Sequence, residues 1–160
     1  MINELDGRIL TILQKNARTS NAEIARQVGL APSAVFERIR KLEEKGVLLG
    51  YSARIDPHAV GLALVAFIFV RSNDRPGGVQ TAERISKIPE VLEVHHVAGE
   101  DCFLVKARAA DPEALGRLLR EELGSIPTIT STRTTIVLET VKETAALPIT
   151  AEEEAEAASA

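Results

Sequence analysis

One helical face holds the residues best suited to chemistry. Between Pro32 and Glu44, Val35, Ile39 and Leu42 recur at helical spacing, so that stripe faces inward. Ser33, Glu37, Arg40, Lys41 and Glu44 then face outward, flanked by Ala34 and Phe36. Arg40 or Lys41 can donate to the O6 and N7 acceptors of guanine in a major groove. Glu37 can accept from cytosine N4, and the Phe36 ring can rest on a thymine methyl. Ser33, Phe36 and Glu37, near the helix N-terminus, reach deepest. Arg18 and Asn21, at the start of the preceding helix, suit contacts to a phosphate backbone, and Arg38 at the core edge can also reach a phosphate. The same pattern fits a three-helix packing unit with a charged solvent face.

Several elements must position that face. Leu5, Ile9 and Leu13, flanked by Ile2 and Ile12, predict a first helix starting at Asp6 and leaving at Asn16 to Thr19. Ser20-Asn21-Ala22-Glu23 reads as a capping box, with Ser20 capping forward and Glu23 reaching back. Ile24, Ala25 and Val28 give this second helix an apolar face, and Gly29 stops it. Pro32 takes the first position of the third helix, and Lys45-Gly46 closes it. A short helix, a tight turn and a second helix make a helix-turn-helix. Val47–Ile55 is strand-like and resembles a wing. Residues 1–47 are thus a helix-turn-helix DNA-binding domain and 48–61 a wing and hinge, broken by Asp56-Pro57-His58 and Gly61.

Residues 62–144 alternate in type. Strands are expected at Leu62–Val70, Val91–Ala98, Cys102–Ala109 and Thr128–Val141, and helices at Val79–Ile88 and Asp111–Leu123. The order β-α-β-β-α-β is the ferredoxin-like motif. The expected fold class is α+β: an N-terminal winged helix-turn-helix domain plus a C-terminal ferredoxin-like βαββαβ sandwich. Leu62–Val70 is apolar at nearly every position, whereas a sheet with one wet face alternates. Its helices cover one face only, so an obligate homodimer is expected through the other.

Composition excludes other classes. The single cysteine, Cys102, forms no internal disulfide and no cysteine-based zinc site. His95 and His96 are strand neighbours pointing to opposite faces, so no metal site is expected. No nucleophile sits in a triad context, no glycine-rich phosphate loop appears, and no cofactor is expected, so the chain reads as no enzyme. Phe67, Phe69 and Phe103 lack the aromatic strand pattern of an RNA-binding sheet and read as core. The longest apolar run, Leu62 to Val70, is far short of the ~20 residues of a membrane helix, and the N-terminus is no signal peptide. No membrane partner and a cytoplasmic location are expected.

At this point the residues carry a family resemblance. Leu5-Asp6, Ile9-Leu10, Leu13-Gln14, Ala17-Arg18, Ile24-Ala25, Val28-Gly29-Leu30, Arg38 to Glu43 and Gly46-Val47 resemble the Lrp/AsnC, or feast/famine, regulators. Gly50-Tyr51, Ile55-Asp56-Pro57 and Gly61 are similar to their hinge. Val97 to Phe103 and Thr132-Arg133-Thr134 through Lys142 are similar to their second domain. The resemblance spans residues 4–144. It implies a sequence-specific transcriptional regulator of double-stranded DNA, a dimer assembling further into an octamer, and an amino-acid effector. Two departures stand out. Ala31 replaces the Ser that usually caps the recognition helix, and Cys102 stands where many relatives have Asp.

An amino acid is a zwitterion, whose carboxylate seeks backbone N–H groups and whose ammonium seeks carboxylates. The turn Ala98, Gly99, Glu100, Asp101 and Cys102 offers both, and Thr132 and Thr134 can add hydroxyls. The alternative for the turn is a hairpin that is polar because it is exposed. The alternative for the chain is an architectural DNA-wrapping protein without effector.

A net charge of −4, from 19 basic and 23 acidic residues, argues against DNA at first sight. Residues 1–60, however, hold 9 basic and 7 acidic side chains, while 147–160 hold four Glu and no basic residue. The imbalance resides in the end of the chain. Residues 145–160 are expected to be a disordered acidic tail, whose truncation after Pro148 leaves DNA binding unchanged or slightly tighter.

Overall fold

The computed structural model describes residues 2–75, 77–99 and 102–149. The chain falls into two units. One joins Met1–Arg54 to the chain from Glu143 onward, and the other is Ile55–Lys142.

In the first unit, α1 spans Glu4–Lys15, α2 Asn21–Val28 and α3 Pro32–Glu44. Asn3, not Asp6, caps α1: its Oδ1 accepts the Asp6 N–H at 2.8 Å. Asp6 is used elsewhere, accepting from Arg38 Nη1 of α3 at 2.8 Å. Ser20 caps α2 as expected, accepting the Glu23 N–H at 3.2 Å. Glu23 does not reach back, because its two oxygens take Arg26 at 2.6 Å and Gln27 at 2.7 Å, one turn ahead. Gly29 ends α2 at φ 75°, a left-handed conformation that disfavours other residues. Ile9, Ile24 and Val35, one from each helix, are completely buried, with Leu13, Ala25, Val28 and Ile39 around them.

Val47–Ile55 forms no strand: among the described residues, none lies between α3 and Leu64. An extended segment becomes a strand only with a ladder partner. This one leaves Leu49 92% exposed. It is instead tied to α3, with Tyr51 Oη donating to Glu43 Oε1 at 2.8 Å. The described part of the expected tail belongs to this unit, and Leu147 is hydrogen bonded to Gln14 of α1.

In the second unit, β1 (Leu64–Ser72), β2 (Val91–His96), β3 (Phe103–Ala109) and β4 (Ile129–Ile136) form one antiparallel sheet in the order β2-β3-β1-β4. This is the ferredoxin-like arrangement. Helix α4 (Gln80–Ile85) and α5 (Pro112–Arg117) supply the layer on one face. Ala66, Ile68 and Val70 of β1 point into that layer, opposite Ala107, Val105 and Phe103, and all six are completely buried. Alternation sends Phe67 and Phe69 to the other face, so these two lie outside the helix-side core and are only half-buried. The Arg133 guanidinium lies 4.0 Å over the Phe69 ring.

Strand β1 lies two residues later than expected, β2 ends at His96 rather than Ala98 and β3 starts one residue later, and three further elements differ more. Helix α4 stops at Ile85, and tighter bonds from Lys87 to Arg84 and from Ile88 to Ile85 still bring Ile88 into the core. After Arg117, α5 widens into a π turn, Leu118–Glu122, and ends in a 3₁₀ turn, Leu123–Ser125. The wide turn absorbs the five-residue step from Leu118 to Leu123, so both are buried while Leu119 is only partly covered. Strand β4 ends at Ile136, opposite Ala66, with one further bond from Val137 N–H to Val65 O at 2.9 Å before the chain leaves the sheet. Leu138 beyond it is 99% exposed. Sequence patterning also missed a buried polar knot. Thr81 N–H and Oγ1 both donate to Asp74, at 3.0 and 2.9 Å, and Oγ1 meets Thr128 Oγ1 at 2.6 Å.

Candidate functional site

Helix α3 carries the outward face drawn from the apolar stripe. Val35, Ile39 and Leu42 are buried, while Ser33, Phe36, Glu37, Arg40 and Lys41 are exposed. Phe36 is 54% exposed although it is a large aromatic. A phenyl ring more than half exposed on a charged helix offers an apolar contact to a partner.

Arg40 is engaged on both sides. Its Nη2 donates to Glu37 Oε2 at 3.0 Å, and its Nη1 donates to Glu44 Oε1. The hydrogen bond to Glu37, then the two carboxylate charges, raise the guanidinium pKa above its ordinary value. The triad forms an acceptor and a donor set side by side along one face. Arg38 is not on that face. Its Nη1 donates to Asp6 Oδ1 at 2.8 Å, half out of solvent, which fastens α3 to α1. Arg18 is exposed in the turn before α2, its backbone N–H donating to Asn16 Oδ1 at 3.0 Å. Asn21 opens α2 half-buried.

Ala31 sits at the N-cap of α3 with φ −74° and ψ 146°, and no side chain caps the helix. Ser20 has φ −70° and ψ 153° at the cap of α2. The two caps share a backbone shape and differ only in the missing hydroxyl.

The turn between β2 and β3 is closed by Val97 N–H donating to Cys102 O at 3.0 Å. Gly99 adopts φ 130°, a conformation that keeps other residues out. Ala98 and Gly99 are exposed, and Cys102 is half-buried with Sγ 3.7 Å from Ser72 O. Glu100 and Asp101 lie outside the described residues. Thr132 and Thr134, on β4, pair with Val70 and Ile68 of β1. The turn follows β2 and precedes β3, and β1 separates β3 from β4. The threonines therefore stand about two strand spacings, roughly 10 Å, from the turn and do not join it. His95 and His96 face opposite sides. His95 pairs with Leu104 and contacts Glu93, while the His96 ring lies tilted, 5.2 Å from the Phe103 ring.

Family models match both units. A winged helix-turn-helix DNA-binding model matches residues 2–48, and the Lrp/AsnC ligand binding domain matches residues 65–147. The chain belongs to the Lrp/AsnC family. It is 40% identical over 148 residues to the HTH-type transcriptional regulator FL11 of Pyrococcus horikoshii, covering 92% of this chain and 97% of FL11. It is 37% identical to the leucine-responsive regulatory protein of Escherichia coli, covering 92% of each. Among solved structures, it resembles a Neisseria meningitidis transcriptional regulator in complex with L-methionine. That match has a TM-score of 0.86 and 32% identity, covering 92% of this chain and 97% of the other. As a member of the Lrp/AsnC family, this chain is a DNA-binding transcriptional regulator and not an enzyme. Among the described residues, no helix is long and apolar enough to cross a membrane.

Proposed function

We propose that α3 reads base edges in the major groove and that the turn at Ala98–Cys102 takes an amino acid. The observation that carries the first part is the exposed row Ser33, Phe36, Glu37, Arg40 and Lys41 on a helix pinned by a buried stripe. Arg40 and Lys41 donate to guanine, Glu37 accepts from cytosine, and Phe36 packs on thymine. Arg18 and Asn21 hold phosphates. Arg38 acts indirectly, by fixing α3 to α1.

The second part is supported by the Gly99 backbone and the acids Glu100 and Asp101 that follow it. A methionine complex of a related regulator is consistent with such a ligand. Thr132 and Thr134 do not share that site within one chain. The open sheet face, with Phe67 and Phe69 half-buried, is the surface for a second copy, and such dimers assemble further into an octamer in the cytoplasm.

The test is selection of duplexes from a random library, followed by binding measurements on variants. Arg40→Ala should lower preference for the selected sites about ten- to a hundredfold. Arg18→Ala should weaken all sequences alike and flatten the salt dependence. Unchanged preference in Arg40→Ala would remove α3 as the reading face. Calorimetric titration with the twenty amino acids tests the turn. No heat with any of them, and no change of assembly, would leave an architectural DNA-wrapping protein.

A further inference from the structure

The turn between β2 and β3 is braced by residues outside it. The β1–β3 ladder stops at the pair Val70 and Phe103. Beyond it a side chain continues the contact, with Cys102 Sγ donating to Ser72 O at 3.7 Å. Cys102 O also accepts Val97 N–H at 3.0 Å. Cys102 is thus held from both sides, by a backbone bond towards β2 and a weak thiol bond towards β1.

Ser72 lies where β1 leaves regular pairing, since the register with β4 shifts between Arg71 and Ser72. The polar knot fixes it there. Asp74 N–H donates to Ser72 Oγ at 3.4 Å, and Asn73 N–H donates to Thr128 O at 2.9 Å. Asp74 takes Thr81 N–H and Thr81 Oγ1 on its two carboxylate oxygens. The Thr81 hydroxyl has one proton, so having given it to Asp74 it accepts from Thr128 Oγ1. Val79, at the N-cap of α4, supplies no side-chain cap, and Asp74 does so from seven residues before Thr81. Thr81 is completely buried, and a buried polar group left without its partner is costly. The loop is folded closely on this group: a Cβ on Gly78 would stand 2.9 Å from Arg75 O and 3.3 Å from Asp74 Cβ.

We propose that Asp74 and Thr81 are positioning residues of the amino-acid turn. They fix the end of β1, and the end of β1 is the wall against which Cys102 closes the turn. This rests on the reading of Ala98–Cys102 as the amino-acid site and adds the residues that set its shape. Asp74 and Thr81 act through Ser72. Releasing the knot lets the end of β1 open locally, and the turn then opens more often on its β1 side.

The chain's single cysteine, Cys102, is the reporter. Its rate of thiol exchange with an aromatic disulfide is measured on the folded full chain, and L-methionine is titrated by calorimetry into the same samples. Asp74→Asn puts a donor where an acceptor stood and should speed exchange about three- to tenfold. Thr81→Val should do the same in smaller measure, while Thr81→Ser keeps the hydroxyl and should keep the parent rate. Leu118→Val loosens the core behind α5 and should leave the rate unchanged, which separates the knot from a general loss of stability. Where the parent binds L-methionine, Asp74→Asn should weaken the affinity by a similar factor. The proposal is overturned if Asp74→Asn exchanges at the parent rate, or if Leu118→Val speeds exchange as much. It is equally overturned if Asp74→Asn binds L-methionine as tightly as a parent that binds it. A parent that takes no L-methionine counts instead against the turn as a site for it, and the exchange rates then decide the role of the knot.

Discussion

The uncapped start of α3 allows a controlled test within one molecule. In Ala31→Ser the new hydroxyl would stand on a backbone within 4° in φ and 7° in ψ of Ser20, which already caps α2. An N-cap Ser in place of Ala contributes about 0.5–2 kcal/mol. Two features of α3 place the gain in the lower half of that range. Pro32 at the first position has no N–H to satisfy, and the Ala34 N–H already donates to Ala31 O at 3.0 Å. About 0.5–1 kcal/mol is expected, which for a unit of this size raises the midpoint of thermal unfolding by about 2–8 °C. Ser20→Ala is the matching control and should lower it by a similar or larger amount. The assay is circular dichroism at the helical band through a thermal scan of each variant. If Ser20→Ala destabilises while Ala31→Ser leaves the midpoint unchanged or lower, the helix start is limited by something other than the missing cap.

Two further outcomes are expected. Tyr51 is the only tyrosine in a chain without tryptophan, so its absorbance reports one group. Partial desolvation of a ring still half-exposed, then the hydrogen bond to Glu43, push its pKa from 10.0 to about 12. The folded state holds this proton more tightly than the unfolded one, so the stabilisation is complete below pH 10 and is lost as pH rises towards 12. Tyrosinate absorbance should show a midpoint near pH 12, and Glu43→Gln should lower it without restoring the ordinary value, because burial remains. A parent midpoint at the ordinary value would contradict this account. In the second unit, Thr81→Val keeps shape but removes the hydroxyl that Asp74 and Thr128 share. Urea unfolding should show a loss of about 1–3 kcal/mol, and Thr81→Ser should retain most of the stability. A valine variant as stable as the parent would show the knot to be dispensable.

Local spacing carried the parts of the fold whose cause is local. Ser20 caps the helix that begins at Asn21, Gly29 turns left-handed where α2 must stop, and β3 alternates because one face is covered. Both halves of the family resemblance rest on such positions. What spacing could not carry were choices settled by distant partners. Asn3 and Asp6 are both good caps, and Arg38, 32 residues from Asp6, draws Asp6 away. Val47–Ile55 has the composition of a strand but finds no ladder partner among the described residues of its own chain. The same division runs through the candidate site. The exposed face of α3 follows from its own apolar stripe, so Ser33, Phe36, Glu37, Arg40 and Lys41 were legible. The ion pair of Arg38 was not, because its partner lies on another helix. Thr132 and Thr134 are separated from the turn by strand order, which residue types alone do not reveal.

The Arg40 triad bears on how α3 would tell sequences apart. At rest the guanidinium already has two carboxylate partners, and Glu37 has a cation. A phosphate offers Arg40 one negative charge in exchange for these, so a non-specific backbone contact gains little and leaves Glu37 unpaired beside the DNA. A guanine offers two acceptors in the geometry the guanidinium matches. If the adjacent position presents a cytosine N4 donor, Glu37 is satisfied as well. Only that combination re-satisfies both groups, while any other leaves a donor or an acceptor without its partner in a partly dehydrated groove, which is costly. Arg40 and Glu37 should therefore act as a unit. Replacing Glu37 by Gln removes one of the two carboxylates on Arg40 and one negative charge beside the DNA, so non-specific affinity should rise as preference falls. Arg40→Ala combined with Glu37→Gln should lose less preference than the two single losses predict. Competition assays with selected and random duplexes measure both quantities. Strict additivity would mean that the two side chains read the DNA independently and that their pairing in the free protein is incidental.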